Sequence, residues 1–222
     1  MKLLLTSNGF TPEIEKEFFT LLAKDPSECR VAFITTSAYG EPEGPDYNIL
    51  SFLEEYRVQL RDRKITKIEE IDVKNKTQEE LEKIILDKDI VFVNGGNTFY
   101  LMHWINKSGF KNVVKKFLEK GGLYFGISAG SIVACPTIVS ATWMPPDLNL
   151  VNLKDLTGMG FVDFLIHPHF HPGQKEVLEK DIEDINYPIV AITNDQAVLA
   201  QDNGVKIIGE GEKYFFKGFK ES

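Results

Sequence analysis

Several kinds of residue and segment are scarce in this chain of 222 residues, and each scarcity disfavours a class of protein. The two cysteines form neither a Cys-x-x-Cys pair nor the dense pattern of a disulfide-stabilised secreted domain, so we expect reduced thiols and a cytoplasmic protein. No run of about 18 or more uncharged apolar residues is present, so no membrane-spanning helix is predicted. A net charge of −8 disfavours binding to nucleic acids, whose phosphate backbone requires a basic surface.

The rest of the composition is that of an ordinary globular protein. Apolar residues make up 43% of the chain and charged residues 26%, which is enough apolar material for a substantial core. The apolar run after Met1 is too short for a signal peptide and favours a first strand. The sequence contains no linker, repeat or low-complexity segment, and we therefore expect residues 1–222 to form a single domain.

Short apolar runs alternate with amphipathic stretches along the chain. This alternation predicts an α/β fold with a mostly parallel sheet and helices on both faces. Asp202-Asn203-Gly204 lies between two apolar runs and is typical of the turn of a β-hairpin, here at the C-terminal end. We expect the last strand, 213–216, to close the same sheet. The other strands are predicted at 2–7, 30–35, 67–71, 90–93, 123–127, 161–166, 189–193, 197–200 and 205–208, and helices begin near Pro12 and span 46–61, 77–86, 97–107, 111–120 and 174–185.

The most informative segment is Gly126-Ile127-Ser128-Ala129-Gly130, at the end of the predicted strand 123–127. It fits the pattern Gly-x-Ser-x-Gly, in which glycines permit a sharp turn from a strand into a helix. Such a turn raises the serine hydroxyl above the sheet edge and directs the N–H of Ala129 toward an oxyanion. Ser128 is therefore predicted to be a nucleophile. The bare pattern also occurs in ordinary loops, and the strand before it and the small residues after it favour the catalytic interpretation.

A serine nucleophile needs a base, and histidine is the usual one because its pKa lies near 7. Three of the four histidines, His167, His169 and His171, lie close together after a predicted strand. The pattern His-x-His-x-His also fits a metal site, but two prolines interrupt it and no carboxylate or cysteine accompanies it, so we expect no metal. The residues alone do not single out one histidine, and His169, the middle one, is our choice. His103 lies in a predicted helix, where a packing role is expected.

Four aspartates compete for the role of orienting the histidine. Asp147 lies between the serine and the histidine in the chain and is our choice for this acid. For any one of the four, a solvated position in a loop is the ordinary role of such a carboxylate. The other three are Asp155, Asp163 and Asp195.

A second oxyanion donor is predicted at Gly95-Gly96, which follows a buried strand. Glycines there let the backbone approach a ligand closely, although an ordinary turn from strand to helix fits them equally well. Asn97 or Thr98 is expected to cap the helix that follows. The N–H groups and the dipole of that helix favour negative charge, so Asn97 is also a candidate substrate-binding residue.

Three segments together resemble the peptidase E family, serine peptidases that also include cyanophycinase. The segments are 93–99 (Val-Asn-Gly-Gly-Asn-Thr-Phe), 122–138 around the Ser-Ala-Gly elbow, and 166–170 (Ile-His-Pro-His-Phe). The resemblance implies a flavodoxin-like fold similar to the class I glutamine amidotransferases, with serine where those enzymes use cysteine. It also implies Ser128 as nucleophile and His169 as base. The implied oxyanion hole consists of the N–H groups of Gly96 and Ala129.

Two positions depart from the family pattern. Before Met144-Pro145, where the family carries the aspartate of its triad, this chain has Trp143, and an indole cannot orient an imidazole as a carboxylate does. Asp147 lies close by and is the expected substitute. After the histidine, where the family's arginine for the substrate carboxylate is expected, the chain has Lys175, which is a point charge and not a planar fork.

The expected function is hydrolysis of short peptides by a cytoplasmic serine peptidase, through an acyl-enzyme on Ser128 with His169 as the general base. Family members cleave after an N-terminal aspartate, so Asp-X dipeptides are one candidate class of substrate. No cofactor, nucleic acid or membrane partner is expected, and the protein is expected to be a monomer or a homodimer. Two alternatives stay open: a binding or regulatory homologue that has lost efficient catalysis, and an esterase or amidase that uses the same serine.

Overall fold

The computed structural model describes residues 1–40, 42 and 48–222, and their strands form two sheets. In chain order the strands are β1 (Lys2–Thr6), β2 (Arg30–Ile34), β3 (Lys67–Ile71), β4 (Ile90–Val93), β5 (Leu123–Ile127), β6 (Leu165–His167), β7 (Ile189–Ala191), β8 (Ala197–Gln201), β9 (Gly204–Ile208) and β10 (Tyr214–Phe216). The larger sheet has the order β3-β2-β4-β5-β1-β8-β9, and the smaller sheet has the order β10-β7-β6. Strands β1 to β5 pair in parallel, whereas β8 and β9 are antiparallel to their neighbours.

Helices connect these strands, and the first four along the chain each begin at a side-chain cap. They are α1 (Pro12–Leu21), α2 (Ile49–Asp62), α3 (Gln78–Ile85), α4 (Thr98–Ser108), α5 (Phe110–Glu119), α6 (Ala129–Ile132) and α7 (Lys175–Asp181). Thr77 and Glu80 form a capping box at the start of α3, and Gly109, with a φ of 73°, ends α4 in the left-handed conformation. No helix in the described part of the chain combines the length and the apolar character needed to cross a membrane.

The larger sheet is covered on both faces. Successive side chains of a strand point to opposite faces, so Leu3 and Leu5 of β1 pack in one apolar cluster and Leu4 packs in another. The first cluster also contains side chains of α3, α4 and α5, and the second contains side chains of α1 and α2. Burial on both faces explains why the central strands are continuous apolar runs without polar alternation.

The predicted α/β class, the mostly parallel sheet and the hairpin β8–β9 around Asp202-Asn203-Gly204 are confirmed. The expectation that 213–216 closes the same sheet is wrong, because β10 pairs with β7 in the smaller sheet. The predicted strand 161–166 is observed only at its end, as Leu165–His167, and the helix predicted at 174–185 spans Lys175–Asp181. The start predicted at residue 46 for the second helix lies outside the described residues, and α2 begins at Ile49 behind the cap Asn48.

Candidate active site

Ser128 occupies a strained turn between β5 and α6. Its φ of 49° and ψ of −109° lie in a region that residues with a Cβ rarely adopt. Its N–H donates to the carbonyl of Thr6 at 3.0 Å, and its carbonyl accepts from the N–H groups of Ser131 at 2.8 Å and Ile132 at 3.0 Å. These bonds hold a conformation that costs about 1–3 kcal/mol, as functional turns often do. The side chain is left half-buried at the carboxyl edge of the sheet.

Both glycines of the Gly-x-Ser-x-Gly pattern are required by close backbone approach. A Cβ at position 126 would lie 2.6 Å from the carbonyl oxygen of Gly130, and a Cβ at position 130 would lie 2.4 Å from that of Val93. Neither separation leaves room for a side chain. The elbow therefore packs directly on β5 and on the end of β4, which is the context that a nucleophile on a strand-to-helix turn needs.

His169 lies beside this serine, although 41 residues separate them in the chain. Its Nε2 is 2.8 Å from the Ser128 hydroxyl oxygen. The backbone of His169 is left-handed, with a φ of 56°, and its N–H donates to the hydroxyl of Ser7 at 2.7 Å. Its side chain is exposed to solvent, so a substrate that approaches Ser128 also reaches the imidazole. The structure thus brings together the predicted nucleophile and the predicted base.

The other ring nitrogen of His169 contacts an amide and not a carboxylate. Nδ1 lies 2.7 Å from Oδ1 of Asn194, which follows β7. An amide oxygen only accepts, so Nδ1 carries the proton in this pair and Nε2 is left free to accept the proton of Ser128. A nucleophile, a histidine and an asparagine in this order form a known variant of the hydrolase triad.

Asp147 does not occupy the position predicted for it. Its Oδ2 accepts the N–H of Thr98 at 2.9 Å, so the carboxylate caps the first turn of α4. Burial raises the pKa of Asp147 above its ordinary value, and the hydrogen bond from Thr98 opposes this shift. Among the described residues, the ring of His169 has hydrogen-bond partners in Ser128, Asn194 and Ser7. Asn194, and not Asp147, therefore occupies the position beside Nδ1 of His169 that was predicted for the orienting acid.

Asn97 is a structural residue and not a free substrate ligand. Its Oδ1 accepts the N–H of Tyr100 at 2.9 Å, which caps α4, and its amide NH₂ donates to the carbonyl of Leu148, also at 2.9 Å. The side chain is 1% exposed and both ends of its amide are used. The predicted cap is present, and the prediction that Asn97 binds substrate does not fit these contacts.

The glycine turn lies next to the elbow. A Cβ at position 95 would lie 3.3 Å from the Cβ of Ser128, and Gly96, with a φ of 121°, packs against the carbonyl of Ser37. Within the described part of the chain, the N–H groups of Gly96 and Ala129 have no acceptor in the protein. Both donors therefore remain candidates for an oxyanion hole at Ser128.

The other predicted site residues lie apart from this group. Lys175 is exposed at the start of α7 and stays a prediction for the substrate carboxylate. His171 accepts the N–H of Gly173 and helps to cap a short 3₁₀ turn. His167 is 5% exposed, its ring lies 5.5 Å from that of Trp143, and burial lowers its pKa to about 4. No cluster of potential metal ligands exists within residues 1–40, 42 and 48–222.

Asn194 was missed by sequence reasoning for an identifiable reason. Thr193-Asn194-Asp195 is a polar turn at the carboxyl end of a predicted strand, as are the turns that hold Ser128 and His169. Sites form at such ends in α/β sheets, so the position carried a signal. A carboxylate is the usual partner of a catalytic histidine, so the sequence pointed to Asp195 and not to the amide beside it.

Two structural relatives support the fold. A candidate peptidase E protein from Listeria monocytogenes superposes with a TM-score of 0.76 at 25% identity, over 95% of this chain and 98% of its own. A peptidase from an acI-B1 Actinobacterium superposes with a TM-score of 0.72 at 17% identity, over 100% of this chain and 92% of its own. The second relative, at this low identity, bears on the fold alone.

Relatives in sequence are also peptidases. Peptidase E of Shewanella amazonensis is 33% identical over 144 residues, and the match spans 60% of this chain and 60% of that protein. An uncharacterized peptidase of Pasteurella multocida is 28% identical over 152 residues, or 66% of this chain and 72% of its own. The model of Peptidase family S51 matches residues 3–208. The predicted resemblance to peptidase E is confirmed, and the chain belongs to peptidase family S51.

Proposed function

We propose that the protein is a serine peptidase that hydrolyses short peptides through an acyl-enzyme on Ser128. The observation that carries the proposal is the 2.8 Å contact between Nε2 of His169 and the hydroxyl of Ser128, at a strained elbow open to solvent. A hydroxyl becomes a useful nucleophile when a base within this distance takes its proton. Family membership and the relatives named peptidase E support the same reaction.

In the proposed reaction, Oγ of Ser128 attacks the peptide carbonyl while Nε2 of His169 takes its proton. The N–H groups of Gly96 and Ala129 stabilise the oxyanion of the tetrahedral intermediate. The imidazolium then returns the proton to the leaving amine, the C–N bond breaks and an ester on Ser128 remains. Water attacks this ester with His169 again as the base, which releases the acid and restores the serine.

Asn194 sets the tautomer in this scheme. In the chymotrypsin triad, replacing the aspartate by asparagine lowers kcat about 10⁴-fold, because the wrong tautomer of histidine results. Here the amide oxygen and not the NH₂ faces Nδ1, so the productive tautomer is retained. A neutral amide stabilises the imidazolium less than a carboxylate does. We therefore expect slower turnover than with an aspartate in this position.

The substrate class proposed is short peptides, with Asp-X dipeptides as one member. Lys175 is the proposed partner for an acidic side chain, and as a point charge it enforces less geometry than an arginine. The test is turnover of Asp-X dipeptides and of a broader dipeptide panel by the wild type and Ser128→Ala. Loss of all turnover in the variant is expected, and turnover at the wild-type rate would overturn the proposal.

An esterase is the second candidate, and the neutral Asn194 favours it. An alcohol leaves without needing as much help from a protonated base as an amine does, so a weakly stabilised imidazolium penalises esters less. An ester and an amide with the same acyl group would decide between the two. If the ester alone is turned over, the protein is an esterase. Labelling of Ser128 by a fluorophosphonate with no turnover of either substrate would instead indicate a homologue that has lost efficient catalysis.

A further inference from the structure

Ser7 connects the two sheets at the candidate site. It directly follows β1 of the larger sheet and its side chain is fully buried. Its hydroxyl oxygen lies 2.7 Å from the backbone nitrogen of His169, 3.2 Å from Oδ1 of Asn194 and 3.4 Å from Nδ1 of His169. Both contacted residues follow strands of the smaller sheet. One buried hydroxyl thus contacts both groups that act behind the nucleophile.

The hydroxyl has a single proton, and the geometry determines where it goes. The N–H of His169 donates to the Ser7 oxygen, so the hydroxyl proton must go to another acceptor. The contact between Nδ1 and Oδ1 of Asn194, at 2.7 Å, is much shorter than the contact between Nδ1 and Ser7. Once Nδ1 carries a proton it cannot accept another. The Ser7 proton is then donated to Oδ1 of Asn194, where two donors converge on one oxygen.

We propose that Ser7 is a positioning residue that holds the Asn194 amide with its oxygen toward His169, and so keeps Nε2 unprotonated beside Ser128. The oxygen and the NH₂ of an asparagine are similar in size, and a half-turn of the amide exchanges them. The flipped amide would present a donor to Nδ1, the ring proton would move to Nε2, and Ser128 would lose its base. Asn194 is exposed, so packing alone does not prevent this rotation.

A carboxylate in position 194 would need no such selection, because both of its outer atoms are acceptors. This difference separates the proposed role from a simpler one. If Ser7 only supports the left-handed backbone of His169 through the N–H contact, its removal has the same effect whatever residue occupies position 194. If it selects the amide orientation, its removal matters with asparagine and matters little with aspartate.

The experiment is a double-mutant cycle of Ser7→Ala and Asn194→Asp, with kcat and KM measured on the best dipeptide of the panel. We expect Ser7→Ala to lower kcat about 10- to 100-fold at nearly constant KM, because base catalysis is lost in the flipped population. In the Asn194→Asp background we expect the same change to lower kcat less than about threefold. An equal loss in both backgrounds, or no loss with asparagine present, would overturn the proposal.

Ser108→Ala is the matched control. Ser108 is also buried, and its hydroxyl likewise accepts one backbone N–H, from Phe110, and donates to one oxygen, that of Ile105. It is the last residue of α4, away from the candidate site, so its loss is expected to lower stability without changing kcat. Ser7→Cys, which keeps the buried volume with a weak donor, replaces the alanine variant if that variant does not fold.

The effect of Ser7 on kcat rests on the proposed function, but its effect on the tautomer of His169 can be measured without any turnover. Histidine labelled with ¹⁵N reports by NMR which ring nitrogen carries the proton, and His169→Gln assigns the signal. We expect an Nδ1–H signal from His169 in the wild type and an Nε2–H signal in Ser7→Ala. If this change is seen but no peptide is hydrolysed, the positioning role stands and the proposed function fails. An unchanged tautomer in Ser7→Ala would overturn the positioning role.

Discussion

The two sheets contribute different parts of the candidate site. The larger sheet supplies Ser128 and the glycine turn at 95–96, which are held by main-chain contacts at the ends of strands buried on both faces. The smaller sheet supplies His169 and Asn194, which follow strands of three residues each and are exposed. In the larger sheet, position is set by close backbone packing. In the smaller sheet, it is set by hydrogen bonds between side chains.

This difference explains why the sequence reveals more about the larger sheet than about the smaller one. Backbone packing demands glycine at fixed spacing, and such a demand is visible in a sequence. Side-chain hydrogen bonds across 25 residues, as between His169 and Asn194, leave no fixed spacing. Four sets of substitutions test this difference between the sheets: two lie in or after strands of the smaller sheet, and two lie at or beside the elbow of the larger sheet.

The largest effect is expected from Asn194→Ala, which removes the amide that contacts Nδ1 of His169 and leaves the elbow at Ser128 intact. The loss of the group that orients the imidazole should lower kcat by about 10²- to 10⁴-fold, by analogy with removal of a triad aspartate. Steady-state kinetics on dipeptides measures this, and Asn194→Asp is the control, with kcat equal to or above that of the wild type. If Asn194→Ala has full activity, Asn194 does not orient the base.

His167 provides a prediction for the smaller sheet that concerns stability. Its pKa is about 4 in the fold, mainly because of burial, against an ordinary value of 6.5, and its Nδ1 has no partner among the described residues. The imidazole of His167 therefore binds a proton more tightly in the unfolded chain than in the fold. Acidification favours the unfolded chain for this reason. The free energy of unfolding is unaffected by His167 above pH 6.5 and falls by about 3 kcal/mol as the pH decreases toward 4.

Urea unfolding of the wild type and His167→Phe between pH 7 and pH 4 measures this contribution. Phenylalanine keeps an aromatic ring beside Trp143 and does not titrate, so the variant should lose less stability on acidification than the wild type. Parallel pH profiles of the two proteins would contradict the assignment of the titration to His167.

Gly130→Ala tests the larger sheet, where the Cβ would lie 2.4 Å from the carbonyl oxygen of Val93. Because both groups are backbone, the elbow must shift, and we expect a loss of about 1–3 kcal/mol in the free energy of unfolding together with loss of activity. Gly173→Ala is the control, since its nearest neighbour would be the His171 side chain at 3.3 Å. Equal stability of the two variants would show that the elbow tolerates movement.

The smallest effect is expected at Asp147. Asp147→Asn keeps an oxygen for the N–H of Thr98, whereas Asp147→Ala removes the cap and should cost about 1 kcal/mol. The raised pKa of Asp147 means that its ionised form is disfavoured by folding, a penalty that grows as the pH rises above the ordinary pKa of the carboxyl. Asp147→Asn should therefore equal or exceed the wild type in stability at pH 7. Its kcat should also stay within about tenfold of the wild-type value. A larger loss would show that Asp147 takes part in catalysis.

The sequence predicted the parts of the molecule that local chemistry dictates. The buried strands, the elbow at Ser128 and the hairpin at residue 203 each depend on a few adjacent residues. The separate sheet of β6, β7 and β10 could not be predicted, because strands of three residues have too few positions to show a period. For the same reason the last strand was assigned to the wrong sheet.

At the candidate site the sequence singled out Ser128, and the resemblance to peptidase E supported His169. It did not identify Asn194, because the amide contacts the ring only when its oxygen is turned toward Nδ1, and that orientation depends on the tertiary structure. Asp147 was predicted to orient the histidine and Asn97 to bind substrate, whereas the side chains of both cap the start of α4. Ser7 had no signal at all, since a serine after a first strand is common and its partners lie 162 and 187 residues away.

The wide separation of Ser7, Ser128, His169 and Asn194 along the chain has a consequence for biosynthesis. A ribosome that has released about two thirds of the polypeptide has delivered the alcohol but neither the imidazole nor the amide. The contacts of the candidate site can therefore form only after the segment that follows β7 has been synthesised. A chain truncated before residue 169 would contain the elbow without the imidazole and the amide.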